Sequence, residues 1–341
     1  MPRCAIVSFR LGLTDGVSVV AATWQQALTD LGFEPYTVAG EGPVDVTVAG
    51  LAIDAAEPPT TSELESVLAD ADLVVVENLL TIPLNLSASR ALASVLRGRP
   101  AVMHHHDPPW QRERFAHITE LPESDPAWRH VTINELTRSE MATRGIEAST
   151  IYNGFDPHPP RGDRAAARTT HGLAADELLV VHPVRAIARK RIPVALDLCA
   201  ALGATYWLVG EPEEGYAPEL DAHLSTARCR VIRDRADPPE FYAAADAVVF
   251  PSSWEGFGNP PVEAAAHRLP AAVGDYPVAA ELERLGFRWF GCEDPEPLAH
   301  FLASPDPALL DHNQQVVRTH LSIDVMTERI ARLLDDAGWL L

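Results

Sequence analysis

Short apolar segments alternate with helix-like segments along almost the whole chain, and this alternation constrains the fold more than any other feature. In the first half, Arg3–Phe9 and Leu73–Val76 have the length and composition of strands buried on both faces. The second half repeats the pattern, for example at Leu178–His182 and Thr205–Val209. Strands that alternate with helices favour parallel, doubly wound sheets, so the pattern predicts an α/β fold.

A break in composition divides the chain into two such regions. The segment PHPPRG, residues 157–162, is rich in proline and has neither a strand nor a helix pattern. A chain of 341 residues is long enough for two domains of ordinary size. We predict a Rossmann-like N-terminal domain over residues 1–156 and a Rossmann-like C-terminal domain over residues 157–320. An amphipathic pattern at Ile323–Leu334 predicts a final helix.

The stretch VVFPSSWEGFGNPPVEAAA, residues 248–266, concentrates the candidate chemistry. An apolar strand pattern leads into a loop with Gly256 and Gly258, and an alanine-rich helix follows. Asn259 is a suitable N-cap for that helix. Backbone N–H groups of a glycine-rich loop at a helix N-terminus form a site for an anion such as a phosphate.

Two glutamates flank this loop. Glu255 lies at the end of the strand pattern and Glu263 lies in the helix. Carboxylates beside phosphate-binding amides suit neutral hydroxyl groups, as on a sugar and a ribose. The alternative is an ordinary capped helix with solvated glutamates, and the residues alone leave both interpretations open.

The basic residues show one unusual choice. Of 27 lysines and arginines, only Lys190 is a lysine, and it lies in RAIARKR, residues 185–191, after a predicted strand. Lysine carries a compact charge and arginine a planar, forked one, so they meet phosphate differently. Lys190 is either a phosphate ligand or an accidental surface cation.

Three consecutive histidines, His104, His105 and His106, follow the predicted strand Ala101–Met103 and are expected in a loop. Neighbouring residues of an extended chain point to opposite sides, so all three cannot easily bind one ion. No Cys/His/Glu spacing typical of a metal site lies nearby. We predict no metal, and polar residues at a strand end are the simplest alternative.

Overall composition excludes several function classes. The net charge of −21 argues against nucleic-acid partners and against docking on anionic lipid. No apolar run is long enough to span a membrane, so membrane association is not expected. Neither a G-x-G-x-x-G nor a Walker A motif occurs, and no cofactor is expected. Four scattered cysteines without C-x-x-C spacing predict free thiols and a cytoplasmic protein. Oligomeric state stays open.

Residues 251–263 together resemble the E-x7-E signature of retaining GT-B glycosyltransferases, the glycosyltransferase family 4 group. The shared features are Pro-Ser before the loop, Glu255-x7-Glu263, and Gly256-Phe257-Gly258 within it. The resemblance implies two Rossmann-like domains facing a cleft. The acceptor would bind the first, the donor would bind the second, and residues 321–341 would form a helix that returns to the first.

The resemblance also implies residue roles. Glu255 would contact the donor sugar, Glu263 would contact the nucleotide ribose, and loop amides of residues 256–259 would hold the diphosphate. Arg185-x4-Lys190 resembles the family motif G-R-x4-K-G, whose two cations grip the diphosphate. Here Val184 and Arg191 replace the two glycines.

Three first-domain segments extend the likeness. His106-Asp107-Pro108 resembles the His-Glu-Pro or His-Asp-Pro segment that faces the donor sugar across the cleft. Gly16, after Asp15, stands where the family has a glycine pair that binds donor. The run NGFD, residues 153–156, resembles the N-G-x-D segment that closes the first domain.

The sequence therefore predicts a retaining glycosyltransferase. It would move a sugar from a nucleotide-diphosphate sugar to a hydroxyl of a small soluble acceptor, without a metal. No residue stands out as a nucleophile, and the resemblance implies front-face transfer. Two alternatives are a non-catalytic nucleotide-sugar sensor or pseudoenzyme, and a nucleotide-sugar 2-epimerase of the same fold.

Overall fold

The computed structural model describes residues 1–13 and 15–340. They form two compact units. The first comprises the described residues of Met1–Gly154 and Ile323–Leu341, and the second comprises Phe155–Ser322. The predicted domain boundaries, after residues 156 and 320, lie two residues from these.

Each unit is built on one parallel sheet. In the first unit the strand order is β3-β2-β1-β4-β5-β6-β7, and in the second it is β10-β9-β8-β11-β12-β13. The strands are β1 Arg3–Arg10, β2 Glu34–Glu41, β3 Val46–Thr47, β4 Leu73–Glu77, β5 Ala101–His105, β6 Trp128–Thr132, β7 Ala148–Thr150, β8 Leu179–His182, β9 Thr205–Leu208, β10 Val231–Ile232, β11 Ala247–Phe250, β12 Ala271–Val273 and β13 Phe290–Gly291.

Helices connect the strands, as parallel pairing requires. The α-helices of the described residues are α1 Gly16–Asp30, α2 Thr61–Val67, α3 Leu86–Leu96, α4 Glu135–Ala142, α5 Arg164–Thr170, α6 Ile192–Leu202, α7 Ala217–Ser225, α8 Pro238–Ala244, α9 Asn259–Ala266, α10 Pro277–Leu285, α11 Glu296–Ala303, α12 Pro307–His320 and α13 Ile323–Asp336. None of them is long and apolar enough to cross a membrane.

The central strands are apolar because both faces of each sheet are covered. In β1 the six residues from Cys4 to Phe9 are all buried, and β4 is buried throughout. The last helix, α13, buries Ile330 and Leu334 in the same core as Trp24 and Leu28 of α1. This helix therefore belongs to the first unit, although 168 residues of the second unit (155–322) precede it.

The alternating fold is confirmed, with three local differences. The pattern did not predict α5 or the two-residue strand β13. Strand β5 continues through His104 and His105, so the prediction that these histidines lie in a loop is wrong. Strand β4 continues to Glu77, and this extension shapes the histidine cluster described below.

Candidate functional site

In the second unit, the two predicted site segments follow adjacent strands. Residues 184–191 follow β8 and residues 251–258 follow β11, and these strands pair in parallel. Their carboxyl ends therefore meet at one edge, where the strand order turns from β9 on one side to β11 on the other. The backbone N–H of Ser253 donates to the carbonyl of Arg189 at 3.0 Å, which ties the two segments together.

Glu255 is held by two cations at this edge. The Nζ of Lys190 lies 2.5 Å from Oε1 of Glu255, and Nη1 of Arg189 lies 2.6 Å from Oε2. Arg189 also donates to the carbonyl of Trp254 at 2.8 Å. Lys190 is only 7 % exposed and lies over the ring of Phe250, so the surface-cation interpretation of Lys190 is wrong.

Burial and charge oppose each other in this cluster. Burial lowers the pKa of Lys190 to about 8, although Glu255 counteracts the shift. Burial alone would raise the pKa of Glu255, but Lys190 and Arg189 hold it below its usual range. One carboxylate and two cations leave a net charge of +1, which is a field suited to an anionic ligand.

Arg185 lies apart from this cluster. Its Nη1 donates to Oε2 of Glu213 at 2.7 Å, and both side chains are about 40 % exposed. The charge of Arg185 nevertheless helps to lower the pKa of Lys190, so the two cations influence each other. The structure thus brings Lys190 and Glu255 into contact and pairs Arg185 with Glu213 instead.

Arg191 has a left-handed backbone conformation at the position where the resembled motif has a glycine. Its φ of 48° and ψ of 52° are left-handed, at the N-terminus of α6. A residue with a side chain pays about 1 kcal/mol for this conformation. Its guanidinium pairs with Glu293 at 2.7 Å, a surface contact that offsets part of this strain.

The glycine loop before α9 depends on Gly258. Its φ of 102° is left-handed, and a Cβ there would lie 2.1 Å from the hydroxyl of Tyr276. Gly258 occupies the N-cap position and Asn259 is the first helical residue, so the prediction that Asn259 caps the helix is wrong. Pro260 and Pro261 have no N–H, so the backbone donors of this turn come from residues 256–259.

Phe257 is part of the core instead of the binding surface. It is 3 % exposed, and its ring stacks on Phe155 with centroids 6.0 Å apart. Only its main chain is therefore placed to meet a ligand. Gly256 is partly exposed in the same loop.

Glu263 has a different environment from Glu255. Its Oε2 accepts a hydrogen bond from the hydroxyl of Tyr242 at 2.5 Å, and Tyr242 stacks on His267. Part of the Glu263 side chain reaches the surface, but burial of its carboxyl raises the pKa while Tyr242 opposes that shift. No sequence motif identified Tyr242.

In the first unit, Gly16 begins α1. The N-cap is Asp15, whose Oδ1 accepts from the N–H groups of Val17 and Ser18 at 3.2 and 3.3 Å. This helix N-terminus therefore already holds a carboxylate. A Cβ on Gly16 would meet nothing within 4 Å, so packing does not require glycine there.

The three histidines alternate between the two sides of the chain at the end of β5, which His106 directly follows, as the alternation of an extended chain predicts. On one face, Glu77 lies 2.9 Å from Nδ1 of His104 and 2.8 Å from Nε2 of His106. On the other, His105 lies 2.6 Å from the hydroxyl of Thr81 and 2.9 Å from Nδ1 of His130. Burial lowers the pKa of His105 well below its usual value, so it is neutral near pH 7.

Glu77, His104 and His106 also form a group that could hold a metal ion. Their ligand atoms lie within 4.8 Å of one another, and all three residues are buried. The sequence did not predict this association, because Glu77 precedes the histidines by 27 residues or more. The available signal was positional: Glu77 ends a buried strand beside the strand of His104.

Residues 163–304 match the family described as "Glycosyl transferases group 1". Mannosylglucosylglycerate synthase of Thermotoga maritima is 23 % identical over 97 % of this chain and 99 % of its own. D-inositol 3-phosphate glycosyltransferase of Streptomyces avermitilis is 34 % identical over 52 % of this chain and 43 % of its own. Residues 163–304 are therefore a group 1 glycosyltransferase domain.

Solved structures agree on the fold of this glycosyltransferase. Anabaena HepE, in complex with UDP and glucose, aligns with a TM-score of 0.76 and 19 % identity over 98 % of this chain and 100 % of that chain. Sucrose-phosphate synthase from Thermosynechococcus elongatus aligns with a TM-score of 0.72 and 16 % identity over 99 % of both chains. The predicted GT-B fold and family 4 resemblance are confirmed.

The comparisons support sugar transfer as the function of this glycosyltransferase. Its relatives are named as synthases and glycosyltransferases, and neither a sensor nor a 2-epimerase receives support from them.

Proposed function

We propose that this glycosyltransferase moves a sugar from a nucleotide-diphosphate sugar to an acceptor hydroxyl with retention of anomeric configuration. The observation that carries the proposal is the buried Glu255, paired with Lys190 and Arg189 beside a glycine loop at the carboxyl ends of β8 and β11. The two cations suit a diphosphate leaving group, and the carboxylate suits sugar hydroxyl groups.

The cations would stabilise the leaving group. As the bond between C1 and the diphosphate oxygen breaks, negative charge develops on that oxygen. Lys190, Arg189 and the N–H groups of residues 256–259 are fixed donors for it, with a net charge of +1 in the cluster. Arg185 would join them if the diphosphate displaced Glu213, which is its exposed partner.

The carboxylates would orient the donor. Glu255 accepts hydrogen bonds from sugar hydroxyls, and Glu263, presented by Tyr242, accepts from the ribose. His106 would contact another hydroxyl of the sugar. Both oxygens of Glu255 already meet cations, which makes it a weak nucleophile. We therefore favour front-face transfer, in which the acceptor oxygen bonds to C1 on the face the phosphate leaves and the phosphate oxygen takes the acceptor proton.

We propose that no metal and no cofactor takes part. The positive charge that a divalent cation would supply to the diphosphate comes here from Lys190 and Arg189. The donor-side carboxylates Glu255 and Glu263 are engaged by these cations and by Tyr242.

The relatives that span most of the chain support a small soluble acceptor. Two of them are named mannosylglucosylglycerate synthase, a name that denotes a small anionic glycoside. HepE was solved with UDP-glucose, which supports a nucleotide-sugar donor here. The four free cysteines suit a reducing compartment, which we propose is the cytoplasm.

A ligand panel tests the function. Purified protein is heated with UDP, GDP or ADP and with their common sugars, and the best donor is then incubated with and without EDTA. A ligand at a hundred times its dissociation constant adds about 2.7 kcal/mol to stability, so one base should give a clear rise in Tm. We expect slow, EDTA-resistant hydrolysis of that donor and faster transfer to a small acceptor. No stabilisation by any nucleotide, or turnover that EDTA abolishes and magnesium restores, would contradict the proposal.

A further inference from the structure

Glu77 is a buried carboxyl group in the core of the first unit. It is 0 % exposed and ends β4 beside β5, which carries His104. Burial alone would raise the pKa of Glu77, but the contacts with His104 and His106 lower it to about 2. No lysine or arginine pairs with it among the described contacts, so its hydrogen-bond partners are the two imidazoles.

An ionised carboxylate only accepts hydrogen bonds, and this decides where the protons of the two rings lie. Oε2 of Glu77 lies 2.8 Å from Nε2 of His106, so that nitrogen carries the hydrogen. In a neutral imidazole the other nitrogen then has a lone pair. Nδ1 of His106 makes no hydrogen bond within the described part of the chain, and the His106 side chain is 6 % exposed to solvent.

Asn78, the residue after Glu77, fixes the backbone of His106. Oδ1 of Asn78 accepts from the N–H groups of His106 and Asp107 at 3.2 and 3.1 Å. Asn78 itself has a left-handed φ of 61°. The Glu77-Asn78 pair at the end of β4 therefore fixes both the ring and the main chain of His106.

The distances distinguish this arrangement from a metal site of the same residues. The contacts of 2.8 and 2.9 Å are those of N–H···O hydrogen bonds. Ligands around a tetrahedral zinc, each about 2.1 Å from the ion, would lie roughly 3.4 Å apart, and a fourth ligand would be needed.

We propose that Glu77 is a positioning residue, which fixes the Nε2–H tautomer of His106 so that Nδ1 accepts a hydrogen bond from a hydroxyl of the donor sugar. The inference rests on the proposed function in assigning the sugar as ligand. His106 then favours donor sugars with a hydroxyl group at that position, because Nδ1 forms a hydrogen bond only with a group that can donate one.

The tautomer is measured without any assay of activity. Imidazole ¹⁵N NMR of histidine-labelled protein separates protonated from unprotonated ring nitrogens, and a His106→Gln variant assigns the signals. We expect His106 with Nε2 protonated and Nδ1 unprotonated. The opposite tautomer would overturn the proposal.

Kinetics test the consequence. In Glu77→Gln the amide can accept from or donate to the ring, so the tautomer is no longer imposed. We expect kcat/KM for the donor sugar to fall about tenfold while Kd of the bare nucleotide diphosphate stays within twofold. The matched control is Thr81→Val, which removes an equally buried hydrogen bond to His105 on the opposite face of β5 and should leave kcat/KM within twofold. If Glu77→Gln does not fold, Glu77→Asp, which draws the carboxylate away from His106, carries the same expectation.

Donor analogues identify the direction of the hydrogen bond. Sugars with single hydroxyls replaced by hydrogen or by fluorine are compared, by the Kd of the donor, in the wild type and in His106→Ala. At one position we expect both replacements to weaken binding equally in the wild type, and the penalty to disappear in the variant. Fluorine that preserves affinity would show that Nδ1 donates and would refute the inference.

The outcomes separate the two proposals. A wild type that binds no nucleotide diphosphate refutes the proposed function, whereas the NMR result still judges the tautomer. A wild type that transfers sugar but shows no effect of Glu77→Gln refutes the inference alone. Elemental analysis that finds one metal ion per chain, lost in Glu77→Gln, would also overturn it.

Discussion

Glu77 ends β4 and Glu255 lies in the loop that follows β11; both are buried, and both have a pKa below the usual range. Glu255 is held by two formal cations, Lys190 and Arg189, and its cluster has a net charge of +1. Glu77 is held by two imidazole rings, and no lysine or arginine pairs with it among the described contacts.

The difference shows two uses of one chemical group. In the second unit the carboxylate keeps two cations at a fixed place, and the surplus charge suits an anion. In the first unit the carboxylate contacts two imidazole rings and, among the described residues, no lysine or arginine. A neutral hydroxyl suits the first unit, and a diphosphate suits the second.

The largest effect is expected for Glu255→Gln. The substitution replaces one accepting oxygen by an NH₂ donor and removes the negative charge that two buried cations pair with. We expect kcat/KM to fall about 100-fold and the free energy of unfolding to fall by about 3 kcal/mol. The Kd of the nucleotide diphosphate should stay equal or tighten, because the cluster charge rises from +1 to +2. Calorimetric titration measures Kd, and a weaker diphosphate affinity would remove the contrast with Glu77.

Lys190→Arg should have the next effect. Nζ lies 4.8 Å from the centre of the Phe250 ring and 2.5 Å from Glu255, so a longer side chain must displace its neighbours. We expect the free energy of unfolding to fall by about 1–3 kcal/mol, as for overpacking, and kcat/KM to fall about tenfold. Denaturant unfolding and steady-state kinetics on one preparation decide the matter. A fully active variant would mean that only charge is required at this position.

A pH dependence should follow from the lowered pKa of Lys190. In the free protein this pKa is about 8, and a bound anion favours the protonated form. Diphosphate affinity is therefore full below pH 8 and is lost as pH rises through 8, by about tenfold between pH 7 and pH 9. Calorimetry in matched buffers measures the change. Lys190→Arg is the control, since arginine stays charged, and its Kd should be flat across this range.

The smallest effect is expected for Arg191→Gly. Glycine relieves the left-handed strain but loses the surface pair with Glu293 and adds flexibility to the unfolded chain. We expect the free energy of unfolding to change by less than about 1 kcal/mol and kcat/KM to stay within twofold. Arg191→Ala loses the pair and keeps the strain, so it should be less stable than Arg191→Gly. Denaturant unfolding compares the two, and the reverse order would show that the backbone is not strained there.

Most of the fold could be predicted from the sequence, because the spacing of apolar residues shows which side of each helix or strand is buried. Helices α10 and α12 begin and end where the proline and apolar patterns place them. The pattern failed for α5, whose sequence RAAARTT has no apolar stripe, and for β13, which is two residues long.

The site could be predicted where its residues lie close in sequence. Glu255, Gly258 and Glu263 lie within nine residues, so one motif identifies them together. The pairs Lys190–Glu255 and Glu77–His106 depend on which strands are neighbours, and 65 and 29 residues separate their members. Spacing within a segment carries no information about such pairs, and the charge balance of each cluster was therefore not predictable.

The two ends of the second unit lie side by side. The N–H of Phe155 donates to the carbonyl of Leu321 at 2.8 Å, and Phe155 bridges Ser322. Because its two ends are adjacent, the second unit can be replaced by another domain through two neighbouring junctions, and the fold of the first unit need not change. Helix α13 belongs to the first unit, so a replacement of the second unit should end at Ser322 and not at the C-terminus.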